Sequence, residues 1–134
     1  MNRTYLTSAI RQLVSEQGYT LQTDTDDRTR QEITQLPAAY LLPVQLREVE
    51  GRLHGRLTYG VELRLLHPGA KLSSEQRNEI WSRTELQLVD LFTQLSADPK
   101  VIAVENLSIE SESGKYTSHG EISQTAKADV VTHF

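Results

Sequence analysis

The chain has 134 residues, a length typical of one domain, so a single domain over residues 1–134 is expected. It carries 14 basic and 18 acidic side chains, and the net charge of −4 argues against a nucleic-acid-binding protein, which normally presents a basic surface. The absence of cysteine excludes disulfides, thiolate metal sites and cysteine nucleophiles. Apolar runs are far shorter than the roughly 20 residues that cross a bilayer, and no secretory signal is recognisable, so no membrane partner is expected.

The first predicted element is an amphipathic helix over residues 4–17. The apolar side chains that recur there at helical spacing are Leu6, Ile10, Leu13 and Val14. Gly18 follows at the position where a helix commonly ends in a left-handed residue. Residues 24–35 are polar and charged without helical or strand periodicity, which predicts a loop.

Two strands are predicted next, over residues 38–46 and 52–65. In the first strand the apolar positions expected to share one face are Tyr40, Leu42, Val44 and Leu46. Pro37 and Pro43 lie beside and within this strand. Since proline has no N–H to donate to a neighbouring strand, both residues favour an edge strand or a bulge.

The alternation over residues 52–65 is the strongest periodic signal in the chain. Its apolar positions are Leu53, Leu57, Tyr59, Val61, Leu63 and Leu65. Its polar positions are Arg52, His54, Arg56, Thr58, Glu62 and Arg64. Two interpretations stay open: an unusually long strand of about 45 Å, or a shorter one that is bent or broken at Gly55 or Gly60.

A long helix is predicted between Ser73 and Pro99. Ser73 and Gln76 have the spacing of a capping box, in which each side chain bonds the backbone N–H of the other residue. The apolar positions continue at helical spacing and include Trp81 and Phe92, which are predicted to lie in the core. At 1.5 Å per residue this helix is about 35 Å long.

The last third of the chain is predicted to form a hairpin, with strands over residues 101–109 and 119–134 and a turn at residues 112–115. In the second strand the apolar residues that share a face are Ile122, Ala126, Ala128, Val130 and Phe134. The sequence therefore predicts an α+β fold, an antiparallel or mixed β-sheet packed against two helices in the order α-β-β-α-β-β. Strands this long leave open edges, which can serve as pairing surfaces.

No pattern of catalytic or ligand-binding residues is recognisable. The histidines, which have no metal-ligand spacing and are interpreted as solvated surface residues, are His54, His67, His119 and His133. The chain has neither a Gly-x-Ser-x-Gly elbow nor a glycine-rich phosphate loop. Asp24, Asp26 and Asp27 are spaced somewhat like calcium ligands, but the glycine and the distant glutamate of a calcium loop are missing. We therefore predict no catalytic residue, no metal site, no cofactor and no enzymatic activity.

Arginines form a stripe on the polar face of the predicted strand over residues 52–65. Arg52, Arg56 and Arg64 share this face, and Arg47 lies nearby in sequence. Such a stripe can contact phosphate or an acidic protein surface. Without interleaved aromatic residues it is not suited to base stacking, and the alternative is that it is simply the solvated side of a sheet.

The order of elements resembles one known family. An amphipathic helix and a polar loop are followed by Leu-Pro-Ala-Ala-Tyr-Leu at residues 36–41. The alternating strand Leu-Thr-Tyr-Gly-Val-Glu-Leu-Arg-Leu at residues 57–65, the long helix and a last strand Ala-Asp-Val-Val-Thr-His-Phe at residues 128–134 complete the layout. Over almost the whole chain this layout resembles the tail terminator, or tail completion, proteins of long-tailed bacteriophages, minor tail proteins often encoded in prophages.

The resemblance implies a homo-oligomeric ring, usually a hexamer, at the end of the tail tube. Such a ring stops tube polymerisation and gives the head a joining surface, without enzymatic activity. The implied partners are further copies of the chain, the tail tube protein and a head-completion or neck protein. The implied location is the virion tail, assembled in the cytoplasm of the bacterial host, and DNA would pass through the ring without sequence-specific recognition.

Position and polarity select the candidate residues for subunit or partner contacts. In the loop over residues 24–35 they are Asp24, Asp26, Asp27, Arg28 and Arg30, and on the strand face they are Arg52, Arg56 and Arg64. The prolines of the first strand and the long loop depart from the family pattern. Other hypotheses are a related neck or minor tail protein, a small-molecule-binding or enzymatic α+β domain with a pocket between the long helix and the sheet, and a bacterial adaptor unrelated to phage.

Overall fold

The computed structural model describes residues 2–23, 36–51, 55–117 and 120–133, which form a six-stranded sheet and two helices. In chain order the elements are α1 (Asn2–Glu16), β1 (Leu21–Thr23), β2 (Ala38–Leu41), β3 (Gln45–Glu50), β4 (Arg56–His67), α2 (Ser74–Ser96), β5 (Val101–Ser113) and β6 (Ile122–His133). The fold class is α+β with a mixed sheet, as predicted, and four strands stand between the helices where two were predicted.

The sheet has the order β1-β2-β4-β6-β5, and β3 pairs with the first part of β4. The β1–β2 pair is parallel and the other pairs are antiparallel. Strands β2 and β3 lie end to end along the same side of β4, because β2 pairs with residues 63–66 and β3 with residues 56–60. The centre of the sheet is therefore the β4–β6 pair.

The predicted burial pattern of the first strand is right for Val44, which is buried, and wrong for the other three positions. In β2 the side chains of Ala39 and Leu41 are buried and that of Tyr40 is half-buried, whereas the even positions were expected to face the core. The prediction also ran one strand through Pro43, where the structure changes from β2 to β3. Since proline cannot donate to the ladder, the alternation does not continue across it, and Leu46 in β3 is 47% exposed.

Strand β4 confirms the long alternation, but it begins at Arg56, directly after Gly55, and residues 52–54 of the predicted strand lie outside the described residues. Its 12 residues span about 40 Å, and Tyr59, Val61, Leu63 and Leu65 are buried on one face. Pairing with β6 runs in one unbroken register through Gly60, so the bend or break considered there is wrong. The irregularity lies instead in the partner strand β3, between Leu46 and Glu48.

Both predicted helix caps are present, one at the end of α1 and the other at the start of α2. Gly18 has a φ of 91°, and its N–H donates to Ser15 O at 3.0 Å while that of Tyr19 donates to Val14 O at 3.2 Å. This pair of bonds satisfies carbonyls at the end of α1. At the start of α2, Ser73 and Gln76 form the predicted reciprocal capping box. Although α2 has 23 residues, neither helix of the described chain is both long and apolar enough to span a membrane.

The core lies between the helices and one side of the sheet, which we call the helix face. The largest buried side chains from the helices are Leu6, Ile10, Leu88, Leu91, Phe92 and Leu95. They pack against the odd positions of β4 and against Ala126, Ala128 and Val130 of β6, as predicted for these strand residues. Trp81 is half-buried rather than in the core, and its indole N–H donates to Ser123 O at 3.1 Å, near the start of β6.

Candidate self-association interface

Within the described residues three strands have an unpaired edge: β1, which pairs only with β2, and β3 lie on one side of the sheet, and β5 lies on the other. Within the described ranges β3 pairs only with β4, and β5 pairs only with β6. The outer edge of each strand therefore presents N–H and C=O groups that another strand could bond. The edges of β3 and β5 are longer than that of β1, so they are the better candidates to accept a further strand.

Strand β3 is an exposed edge strand with two apolar and three charged residues. All six of its residues are exposed, including Leu46 at 47% and Val49 at 56%. Leu46 lies opposite Tyr59 and Val49 opposite Leu57, so both point toward the helix face but lie beyond the cover of the helices. Charged residues and a bulge between Leu46 and Glu48 partly protect this edge, as in other natural edge strands. The uncovered pair Leu46 and Val49 is the part of β3 suited to contact another protein.

Strand β5 has two chemically different halves. Its first four residues, Val101 to Val104, are apolar and buried or half-buried. Farther along, the register shifts between Glu105 and Ser108, Asn106 has a φ of 56°, and Glu110 is exposed. The register also shifts between Val101 and Ala103, so both halves are irregular. The first half is the better acceptor for a strand because Val101 to Val104 carry no charge, and charges discourage edge pairing.

The side of the sheet away from the helices, which we call the open face, carries a network of ion pairs. The Glu62 carboxylate forms ion pairs with Arg64 at 2.7 Å and with Lys127 at 3.7 Å. Asp129 is 3.6 Å from Arg47 and accepts a hydrogen bond from an Asn106 amide. Because positive and negative groups alternate across neighbouring strands, this face is largely neutralised by its own side chains.

The arginine stripe predicted from the sequence is not a cluster. Arg56 and Arg64 share the open face, but eight residues separate them along β4, or about 27 Å. The Arg64 guanidinium is bonded to Glu62 and lies 4.2 Å from the centre of the Tyr116 ring, so it is a structural residue rather than a free contact. Arg56 is exposed opposite Glu50 of β3. The other predicted contact residues lie outside the described residues: Asp24, Asp26, Asp27, Arg28, Arg30 and Arg52.

A shallow groove of about 420 Å³ crosses the open face and is lined by Pro43, Arg47, Gly60, Glu62, Lys127 and Asp129, among others. Gly60 makes room for Arg47, since a Cβ at this position would lie 2.0 Å from Arg47 Nε. The pocket expected by the enzyme hypothesis lies between α2 and the sheet, whereas this groove lies on the opposite side. In the described ranges no three His, Asp or Glu residues are grouped so that they could hold a metal.

A polar cluster that sequence reasoning missed joins the connection between α1 and β1 to β4 and α2. The Tyr19 hydroxyl contacts His67 Nε2 and donates to Gln87 Oε1 at 2.7 Å. Burial, with a further contribution from Arg83, lowers the pKa of His67 to about 4, and burial raises the pKa of Tyr19 to about 12. The interpretation of His67 as a solvated residue is therefore wrong. Only the fold brings the three residues together, since His67 and Gln87 lie 48 and 68 positions from Tyr19 in the sequence.

His67 makes a testable contribution to the pH dependence of stability. Its pKa is about 4 in the folded protein and 6.5 ordinarily, so the unfolded chain takes up a proton first as the pH falls. The folded protein should therefore lose about 1–2 kcal/mol of unfolding free energy between pH 6.5 and pH 4, after allowance for partial exposure. Urea unfolding at pH 7 and pH 4.5 measures this loss. His67→Gln, which keeps a donor but does not titrate, should lose correspondingly less, and an equal loss in both proteins would contradict the assignment.

Comparison with models of known protein families gives no match, and no curated protein matches the chain significantly.

Proposed function

We propose that this chain is a structural subunit of a bacteriophage or prophage tail. Copies of it form a ring at the end of the tail tube, end tube polymerisation and provide the surface that joins the tail to the head. The observation that carries this proposal is the sheet itself: β4, β5 and β6 have 12 to 13 residues each, and β3 and β5 leave a free edge on both sides. A subunit with a pairing edge on each side can join a neighbour on each side.

The exposed apolar residues of the edge strand β3 favour an assembly over an isolated monomer. Leu46 and Val49 are the large hydrophobic residues that β3 exposes, and they lie on the strand that is free to pair. Contiguous exposed apolar groups on a soluble domain commonly mark an interface with another protein. The layout of helices and strands adds the resemblance to tail terminators, whose partners are further copies, the tail tube protein and a head-completion protein.

The enzyme or small-molecule hypothesis receives less support from the described residues. Tyr19, His67 and Gln87 form a cluster of polar groups that could act on a ligand, but they bond to one another. The open-face groove is lined by residues that neutralise one another across the strands. A catalytic site requires convergent groups left available to a ligand, and this pattern does not provide them.

Deletion of the gene in the phage or prophage that encodes this chain tests the proposal. Without the subunit, tail tubes are expected to grow to uncontrolled lengths and to remain unattached to heads in negative-stain electron micrographs. Wild-type chain supplied from a plasmid is the control and should restore tails of uniform length joined to heads. Normal tails on filled heads in the absence of the chain would contradict the proposed function.

A further inference from the structure

We propose that neighbouring copies in the assembly join by antiparallel pairing of β3 from one copy with residues 100–105 from the next, which are Lys100 and the first half of β5. This inference rests on the proposed function, because it specifies the contact that builds the ring. The partner of β3, the edge strand with exposed apolar residues, is then a specific strand segment of a second copy of this chain.

The directions of the strands favour this pairing. Strand β3 is antiparallel to β4, β4 to β6, and β6 to β5, so β3 and β5 run in opposite directions at the two edges. When two copies in the same orientation are placed side by side, β3 of one therefore meets β5 of the other in antiparallel fashion. Every copy uses one β3 edge and one β5 edge, which is the head-to-tail type of contact that closes into rings.

The register across the sheet brings apolar residues together. Val49 pairs with Leu57, Leu57 with Thr132, and Thr132 with Val101. Val49 and Val101 therefore lie at the same level on the two edges of the sheet. In the same way, Leu46 is level with Val104 through Tyr59 and Val130. If the sheet continues at the same level into the next copy, Val49 meets Val101 and Leu46 meets Val104 on the helix face. Aliphatic pairs of this kind stabilise neighbouring strands. The contact is confined to β3, because β1 lies beside β2 at the level of residues 109–111 of β5, so the neighbour's β5 must turn away from the sheet beyond Glu105.

The charges agree with the same register. Glu50 is level with Arg56 and His133, and the His133 N–H donates to Lys100 O at 3.2 Å. Continuing the sheet therefore places Glu50 of one copy beside Lys100 of the next. Pairing β5 with a second β5 would instead bring acidic strands together, because β5 carries three glutamates and no basic residue. Opposite charges on adjacent strands favour the β3–β5 contact and like charges oppose the alternative.

Disulfide trapping tests the contact directly, since the chain has no cysteine of its own. The double variant Leu46→Cys with Val104→Cys, oxidised after assembly, is expected to give a ladder of covalent oligomers on a non-reducing gel. The matched control Leu46→Cys with Ile109→Cys places the second thiol farther along β5 on the same face, and it should give no ladder. Each single cysteine variant should remain monomeric on the gel.

The outcomes separate this inference from the proposed function. Assembly of the double variant without a covalent ladder, or a ladder in the Ile109→Cys control, would overturn the β3–β5 register while leaving the ring intact. Covalent dimers from Leu46→Cys alone would overturn it in favour of a twofold contact between two β3 strands. If the wild-type chain assembles neither alone nor with the tail tube protein, both the contact and the proposed function fail.

A charge exchange provides a second measurement on the assembled protein. Glu50→Lys is expected to raise several-fold the concentration at which half of the chain is assembled, because it places two positive charges at the contact. Adding Lys100→Glu to this variant should restore assembly to near the wild-type concentration in sedimentation velocity. Glu110→Lys, on the second half of β5, is the control and should leave assembly unchanged. Absence of rescue by the double variant would contradict the proximity of Glu50 and Lys100.

Discussion

Replacement of Phe92 by alanine is expected to lower the free energy of unfolding by about 3–5 kcal/mol. Phe92 is 1% exposed and is the largest fully buried side chain in the described chain. It belongs to the α2 surface that packs on the sheet. Its removal leaves a cavity between α2 and the helix face, because the long strands around it can close in only partly. Urea unfolding followed by circular dichroism at neutral pH measures the change.

Leu86→Ala is the matched control for Phe92→Ala, since it also shortens an apolar residue of α2. Leu86 is 69% exposed, so its truncation should change the unfolding free energy by no more than about 0.5 kcal/mol. A similar loss in the two variants would mean that α2 does not pack on the sheet through the Phe92 side. In that case the assignment of the helix face would be wrong.

Glu121→Ala is expected to lower the free energy of unfolding by about 2–3 kcal/mol. Glu121 is 0% exposed, and its carboxyl group accepts hydrogen bonds from the backbone N–H groups of Tyr116 and Thr117 and from the Thr117 hydroxyl. Alanine removes the acceptor for two backbone donors at the connection between β5 and β6. An unsatisfied buried donor is costly, and this connection joins the two longest paired strands of the sheet.

Glu121→Gln separates the hydrogen bonds from the simple loss of volume. The amide oxygen of glutamine can accept from both backbone N–H groups, and its NH₂ group can donate to the Thr117 hydroxyl oxygen. Glutamine is therefore expected to retain most of the stability, within about 1 kcal/mol of the wild type. Thermal and urea unfolding of the two variants measure the difference. If glutamine were as damaging as alanine, the pattern of donors and acceptors assigned to Glu121 would be incorrect.

The elements that the sequence predicted well are those whose signals are local. The apolar stripe of α1, the glycine that ends it and the capping box of α2 each depend on residues within a few positions of one another. The alternation in β4 was equally clear, because this strand is buried on one face along most of its length. These features need no knowledge of the neighbouring strands.

The first strand shows where local reasoning fails. The pattern of even apolar positions continued through Pro43, but the structure divides this segment into β2 and β3 and buries Ala39 and Leu41 instead. Alanine carries little hydrophobic signal, so the buried positions of β2 were not apparent. Which face of a strand is buried depends on its partners, and for β2 those are β1 and β4.

The candidate interface was predictable only in outline. The length of the strands indicated open edges, but the identity of the edge strands depends on the order β1-β2-β4-β6-β5 with β3 beside β4. The prediction selected arginines for their charge, and the fold turns Arg64 into a partner of Glu62 and Tyr116. The exposed pair Leu46 and Val49 was missed because an apolar residue in a strand is ordinarily expected to be buried.

The placement of both helices on one side of the sheet has a consequence for any assembly built by joining edges. Each added copy must carry its helices on the same side as its neighbours, so the two walls of a closed ring differ chemically. One wall is a continuous β-surface with Glu62, Arg64, Lys127 and Asp129, and the other is coated by α1 and α2. The direction in which the joined sheet curves then decides which of these walls lines the lumen.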